Sequence, residues 1–226
     1  MGEQIICMTH GYPQWYEPKR IETQLQILEN AFPQLCTDEI MDIEDGRLPL
    51  GAEAWFVLPK WRHIAPTYND AVDTVVAKLR EVFRNKFLNY CGASPHGRND
   101  LLQIKEKRRA WEYLERRQKG ECVIIPAQFG ILHCGIPQHR LDEVMAKGEF
   151  GLGAYEVGIM LLTHPERFHD SNNLWIECIG DICAECKPVH GLRHHPVYLM
   201  MSGEVRLTKE SGVNKHYGAA TGFLVP

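Results

Sequence analysis

The chain has 226 residues, 44% of them hydrophobic and 24% charged, with a net charge of −4. That balance excludes disorder and collagen-like or coiled-coil repeats, and the length is enough to bury a sizeable core. No apolar run approaches the roughly 18 residues of a membrane span, and the opening MGEQIICMTHGYP lacks a basic stretch followed by an apolar one, so no export, no membrane partner and a cytoplasmic location are expected.

Residues 4–8 (QIICM) read as a short buried strand closed by the turn-rich HGYP. Pro18 suits the first position of a helix in which Ile21, Leu25, Leu28 and Phe32 recur at helical spacing, ended by Pro33. Residues 37–46 hold five carboxylates in ten positions and read as an exposed loop, and 54–58 (AWFVL) as a strand stopped by Pro59. Thr67 and Asp70 resemble a capping box, and Ala71, Val72, Val75, Leu79, Val82 and Phe83 behind them predict a long helix over 68–88.

The Gly, Pro, Ser and Asn content of 89–99 predicts a loop, after which Asp100 caps a second long helix, 101–119, stopped by Gly120. Residues 121–126 predict a strand and 138–147 a short helix ended by Gly148. The stretch 152–162 is apolar nearly all round, so a buried helix is expected. Gly151, Gly153 and Gly158 do not have the spacing of a dinucleotide fingerprint and read as permitting close packing. Further strands are predicted over 174–179, 197–201, 205–208 and 222–225. Helices concentrate in 68–119 and strands in 121–226, which predicts one α+β domain over 1–226, its long helices packed on one face of a mixed or mainly antiparallel sheet.

Eight cysteines without an export signal point to free thiols or a metal site rather than a disulfide framework. Cys7, Cys36, Cys91, Cys122 and Cys134 are scattered beside apolar residues and read as buried thiols. Cys178, Cys183, Cys186 and His190 crowd together, and thiolate with imidazole is a zinc donor set; this is the candidate structural zinc site. Only one clean Cys-x2-Cys pair is present, and the other spacings match no common finger or ribbon.

Charge is unevenly spread: residues 1–58 carry −7, 59–120 carry +7 and 121–226 carry −4. The basic share peaks in 101–119, where Lys105, Lys107, Arg108, Arg109, Arg116, Arg117 and Lys119 stand against Glu106, Glu112 and Glu115. Such a helix can lie along phosphates or against an acidic protein face. It can equally be a solvated face laced with ion pairs, since Glu112 to Arg116 and Glu115 to Lys119 have the favourable order. Lys105, Arg108, Arg109, Arg116 and Arg117 are the candidate contacts to protein or nucleic acid.

No motif identifies a reaction. Cys91 and His96 share a loop and could form a thiolate–imidazole pair. The segment HPERFHD brings His164, Glu166, His169 and Asp170 into one loop, residue types that ligate metals or move protons. The expected function is a small binding protein acting through macromolecular contacts, with a structural zinc site as an added feature. The alternative is a metal-dependent hydrolase or nuclease-like enzyme using His164, Glu166, His169 and Asp170.

Overall fold

The computed structural model describes residues 11–37, 46–91, 100–184, 193–210 and 216–225. The strand expected at 4–8, most of the acidic loop, His96, Cys186 and His190 lie outside them. The fold is α+β. Its strands divide among three sheets instead of forming the single sheet with helices laid on one face that the sequence suggested. The first sheet runs β1 (Ala54–Pro59), β4 (Cys122–Gln128), β11 (Thr221–Phe223), β5 (Glu149–Gly151), all antiparallel. The second runs β10 (Tyr217–Ala219), β6 (Trp175–Glu177), β8 (His195–Met201), β9 (Glu204–Glu210), β2 (Phe87–Asn89), with parallel pairs at both edges. β3 (Leu101–Gln103) and β7 (Asp181–Cys183) form a two-stranded ladder. The chain passes from the second sheet to the first through Ala220, whose N–H donates to the Glu177 carbonyl and whose carbonyl accepts from Leu152 N–H, both at 3.0 Å.

At the centre is α5 (Ala154–Thr163), every residue of which is buried, as its unbroken apolar character requires. It packs against α1 (Ile21–Ala31), β1 and α2 (Tyr68–Val82), which turns Ala71, Val72, Val75, Val76 and Leu79 inward. Removing a large buried side chain such as Leu79 from water contributes about 1.5–3 kcal/mol. Gly158 is what lets α5 come this close: a β-carbon there would meet the Tyr198 hydroxyl and Val75 Cγ1, each at 2.7 Å.

Several boundaries differ from the sequence reading, each for a local reason. Thr67 does cap α2, its hydroxyl accepting from Asp70 N–H at 3.1 Å. The helix stops at Val82 instead of 88 because Arg84 and Asn85 take φ of 50° and 62°, and the chain then joins β9 as strand β2. Pro18 is two residues outside the N-cap of α1, Arg20. Asp100 caps nothing: residues 101–103 pair with β7, and α3 is Lys105–Arg117, entered through an extended Ile104. Cys36 is exposed, whereas Cys91, Cys122 and Cys134 are buried as expected.

Two glutamines, the buried Gln24 and the half-buried Gln118, finish sheet edges that no strand covers. Gln24 accepts from Val57 N–H at 3.0 Å and donates to the Trp55 carbonyl at 2.9 Å, standing in for a neighbour of β1. Gln118 does the same for Ile124 of β4, at 2.7 and 2.9 Å. A buried backbone group without such a partner costs about 1–3 kcal/mol.

Candidate functional site

The basic helix α3 is held by its inward side and offers the other. Lys107, Ala110, Trp111 and Leu114 are buried, while Lys105, Arg108, Arg109, Glu112, Arg116 and Arg117 are exposed. The spacing 105, 108, 109, 112, 116 is the i, i+3, i+4, i+7 pattern of one helix face, so Lys105, Arg108, Arg109 and Arg116 share a stripe roughly 16 Å long. Lys107 is the exception to the seven expected surface cations. Its ammonium lies 2.7 Å from Glu156 Oε2, 2.9 Å from Asp181 Oδ1 and 2.7 Å from the Tyr68 hydroxyl, with all four side chains buried. Ala154 N–H, at the start of α5, donates to Asp181 Oδ2 at 2.8 Å. Burial alone would lower the Lys107 pKa, but Asp181 and Glu156 hold it above its ordinary value. At the other end Lys60 donates to the Gln118 and Lys119 carbonyls at 2.7 and 3.2 Å, placing a cation at the helix C-terminus.

The intrahelical ion pairs that would have silenced the basic face are not formed. Glu115 turns away to Arg62, at 2.9 and 3.1 Å. Among the described residues no ion pair engages Lys105, Arg108, Arg109, Arg116 or Glu112. Two aromatic rings flank the stripe with guanidinium groups already stacked on them: Arg62 lies 4.5 Å from the Trp61 ring centre and Arg117 5.2 Å from that of Tyr113. Arg117 also donates to the Tyr113 hydroxyl at 2.6 Å.

Beside the start of α3 opens a cleft of about 640 Å³, bordered by Ile104, Glu106, α4 (Gln138–Val144), β5, Ile179, Arg193 and His195. His195 is 9% exposed and its Nδ1 donates to the Asp181 carbonyl at 2.6 Å. Burial holds its pKa below the ordinary value. Behind the cleft wall, Glu177 is hydrogen-bonded by Gln138 and burial pushes its pKa up to about 7. Glu149 is fully engaged, by His133 Nε2, Thr221 Oγ1 and Ala146 N–H. His195 stands at the end of the Cys/His-rich segment 178–195, where it had no role of its own, and Glu177 did not stand out in the sequence. Each sits in an apolar strand, and the sheet pairing brings His195 to the cleft and Glu177 behind its wall.

Of the four residues expected to do chemistry, His164 and Glu166 meet at Lys19, while His169 and Asp170 have other partners. His164 is fully buried at the end of α5; its Nε2 accepts from Lys19 N–H at 2.9 Å and its Nδ1 lies 3.2 Å from the Met160 carbonyl. Burial pushes its pKa down to about 3, so the ring is neutral. Glu166 pairs with Lys19, His169 packs edge-on to Trp15 at 4.6 Å, and Asp170 Oδ1 accepts from Asn172 N–H at 2.7 Å. Among the described residues no three His, Cys, Asp or Glu side chains converge to hold a metal ion, these four included.

Of the candidate zinc ligands, Cys178 and Cys183 are described and both are buried. Burial raises the Cys178 pKa. Cys91 adjoins Cys183, whose thiol raises the Cys91 pKa, and Cys91 Sγ lies 3.0 Å from the Thr208 carbonyl. The spacing had left Cys91 among the scattered cysteines.

No family model matches the chain, and no curated protein or solved structure matches it.

Proposed function

We propose that the protein binds single-stranded nucleic acid through the exposed face of α3, as a binding protein and not through a reaction at the His164 loop. The observation that carries this is that, among the described residues, no ion pair engages Lys105, Arg108, Arg109 or Arg116, four exposed cations along one stripe of α3. Three of those four are arginines, whose planar fork matches phosphate geometry. The guanidinium-capped rings of Trp61 and Tyr113 beside the stripe suit unpaired bases, which stack on arginine and aromatic planes.

Fluorescence anisotropy with a labelled 12-nucleotide single strand tests the reading. Arg108→Glu with Arg109→Glu is expected to weaken binding at least tenfold without changing the far-ultraviolet circular dichroism. Undiminished binding in that variant would sink the proposal. Polyglutamate binding as tightly as the oligonucleotide, and displacing it, would move the assignment to an acidic protein partner. A structural zinc on Cys178, Cys183, Cys186 and His190 is a separate proposal carried by spacing alone. Near one zinc per chain in protein purified without added metal supports it, and none removes it.

A further inference from the structure

The cleft at the head of α3 differs in charge from the helix face beside it. Glu106 and Asp142 border it, with Arg193 at its exposed edge and His139 alongside. Its floor is apolar, made by Leu141, Met145, Phe150 and Ile179. Nδ1 of His195 is tied back to the Asp181 carbonyl and Nε2 has no hydrogen-bond partner among the described residues, so the ring nitrogen left for a ligand is the unprotonated Nε2, an acceptor. The cleft therefore presents acceptors over an apolar platform, while α3 presents donors and positive charge. A volume of about 640 Å³ lies within the usual range for a small planar ligand.

A nucleotide divides its chemistry the same way, with an anionic phosphate on one side and a flat base carrying N–H donors on the other. We infer that the cleft receives one unstacked, amino-bearing nucleobase of the strand whose phosphates lie on α3, an assignment that rests on the nucleic-acid reading of that helix. The exocyclic amino group of cytosine or adenine supplies two N–H donors, one to His195 Nε2 and one to the carboxylate of Asp142. Uracil and thymine present a carbonyl oxygen at the corresponding position, whose lone pairs face those same acceptors. A site built to pair with a donor rejects the analogue lacking it more strongly than an apolar pocket would. Arg193, at the rim, is placed to take the phosphate that links this base to its neighbour.

The test compares 12-nucleotide oligocytidylate with oligouridylate by anisotropy at pH 7.5, since the two differ at the base edge, and the same ratio in the His195 variant below separates that difference from their different stacking. The wild-type protein is expected to prefer oligocytidylate by about tenfold, roughly the contribution of a hydrogen bond gained and a repulsion avoided. His195→Asn keeps an N–H for the Asp181 carbonyl but lacks Nε2, and is expected to bring the ratio to about one. Asp142→Asn, on the exposed side of α4, is expected to reduce the ratio with no burden on folding. Equal binding of the two oligomers by the wild type, or tighter oligouridylate, would overturn the cleft assignment and leave the α3 reading standing. Failure of both oligomers to bind would overturn the α3 reading and this assignment with it.

Discussion

Glu115 on α3 is gripped by Arg62 through both carboxylate oxygens, at 2.9 and 3.1 Å, and so does not neutralise Lys119 one turn along its own helix. Exposed ion pairs add little stability, about 0–1 kcal/mol. The consequence of this pair lies in which charges it leaves on the surface. Glu112 is the one carboxylate in the middle of the basic stripe, and no ion pair engages it among the described residues. Glu112→Gln is therefore expected to strengthen oligonucleotide binding about two- to threefold, and Glu115→Gln to change it less. Anisotropy on the two variants side by side decides this; the reverse ranking would mean that the strand does not lie along the 105–116 stripe.

Lys107 holds α3 to the rest of the molecule through Glu156, Asp181 and Tyr68. Lys107→Met removes the one cation from a buried group containing two carboxylates, leaving them without their countercharge. The expected loss is about 3–5 kcal/mol, read as a lowered urea midpoint. A loss below about 1 kcal/mol would show that the network is not what anchors the helix.

His164→Ala separates the structural role of that residue from a chemical one. The ring fills the core and accepts from Lys19 N–H, so its removal is expected to cost about 2–4 kcal/mol while oligonucleotide affinity stays unchanged. The pH dependence follows from its depressed pKa of about 3 against an ordinary 6.5. The folded protein binds fewer protons at this ring than the unfolded chain does, so stability rises with pH. The contribution is complete above about pH 6.5 and drains away as the pH falls toward 3. Thermal melts of wild type and variant should converge in acid; a gap that persists unchanged to pH 4 would contradict the neutral-ring assignment.

How far the sequence foretells this molecule depends on whether a residue's neighbours are near in the chain. The cap of Thr67 on Asp70, the inward stripe of α2, the buried α5 and the close packing at Gly158 are local patterns, and each was legible. The short strands β2, β3, β5, β7 and β10 were not, because three residues carry no periodicity and each exists only through a distant partner. Glu115 illustrates the same limit at the candidate site. Its spacing favours Lys119, but Arg62, 53 residues away in the chain, is brought within reach by the fold. Lys107 looked like one more surface cation, since nothing at 107 itself announces the carboxylates at 156 and 181.

Glu177 supplies a prediction of the opposite sign to His164. Burial raises its pKa to about 7 from an ordinary 4.5, so the folded protein holds more protons there than the unfolded chain. Its contribution to stability is complete below about pH 4.5 and is lost as the pH rises toward 7. Glu177→Gln keeps the hydrogen bond with Gln138 and never has to bury a charge. It is expected to raise the melting temperature at pH 8 by several degrees and to leave it nearly unchanged at pH 4.5. Equal shifts at both pH values would place the charged carboxylate in a more polar setting than the β6 strand provides.

The central claim is that phosphates lie on Lys105, Arg108, Arg109 and Arg116, and the dependence of affinity on salt tests it most directly. Each phosphate neutralised on a single strand contributes about −0.7 to the slope of log affinity against log salt. Four contacts predict a slope of roughly −3 for the wild type, and Arg108→Ala or Arg116→Ala should each make it shallower by about 0.7. A slope near zero, or one that these substitutions leave untouched, would contradict the account.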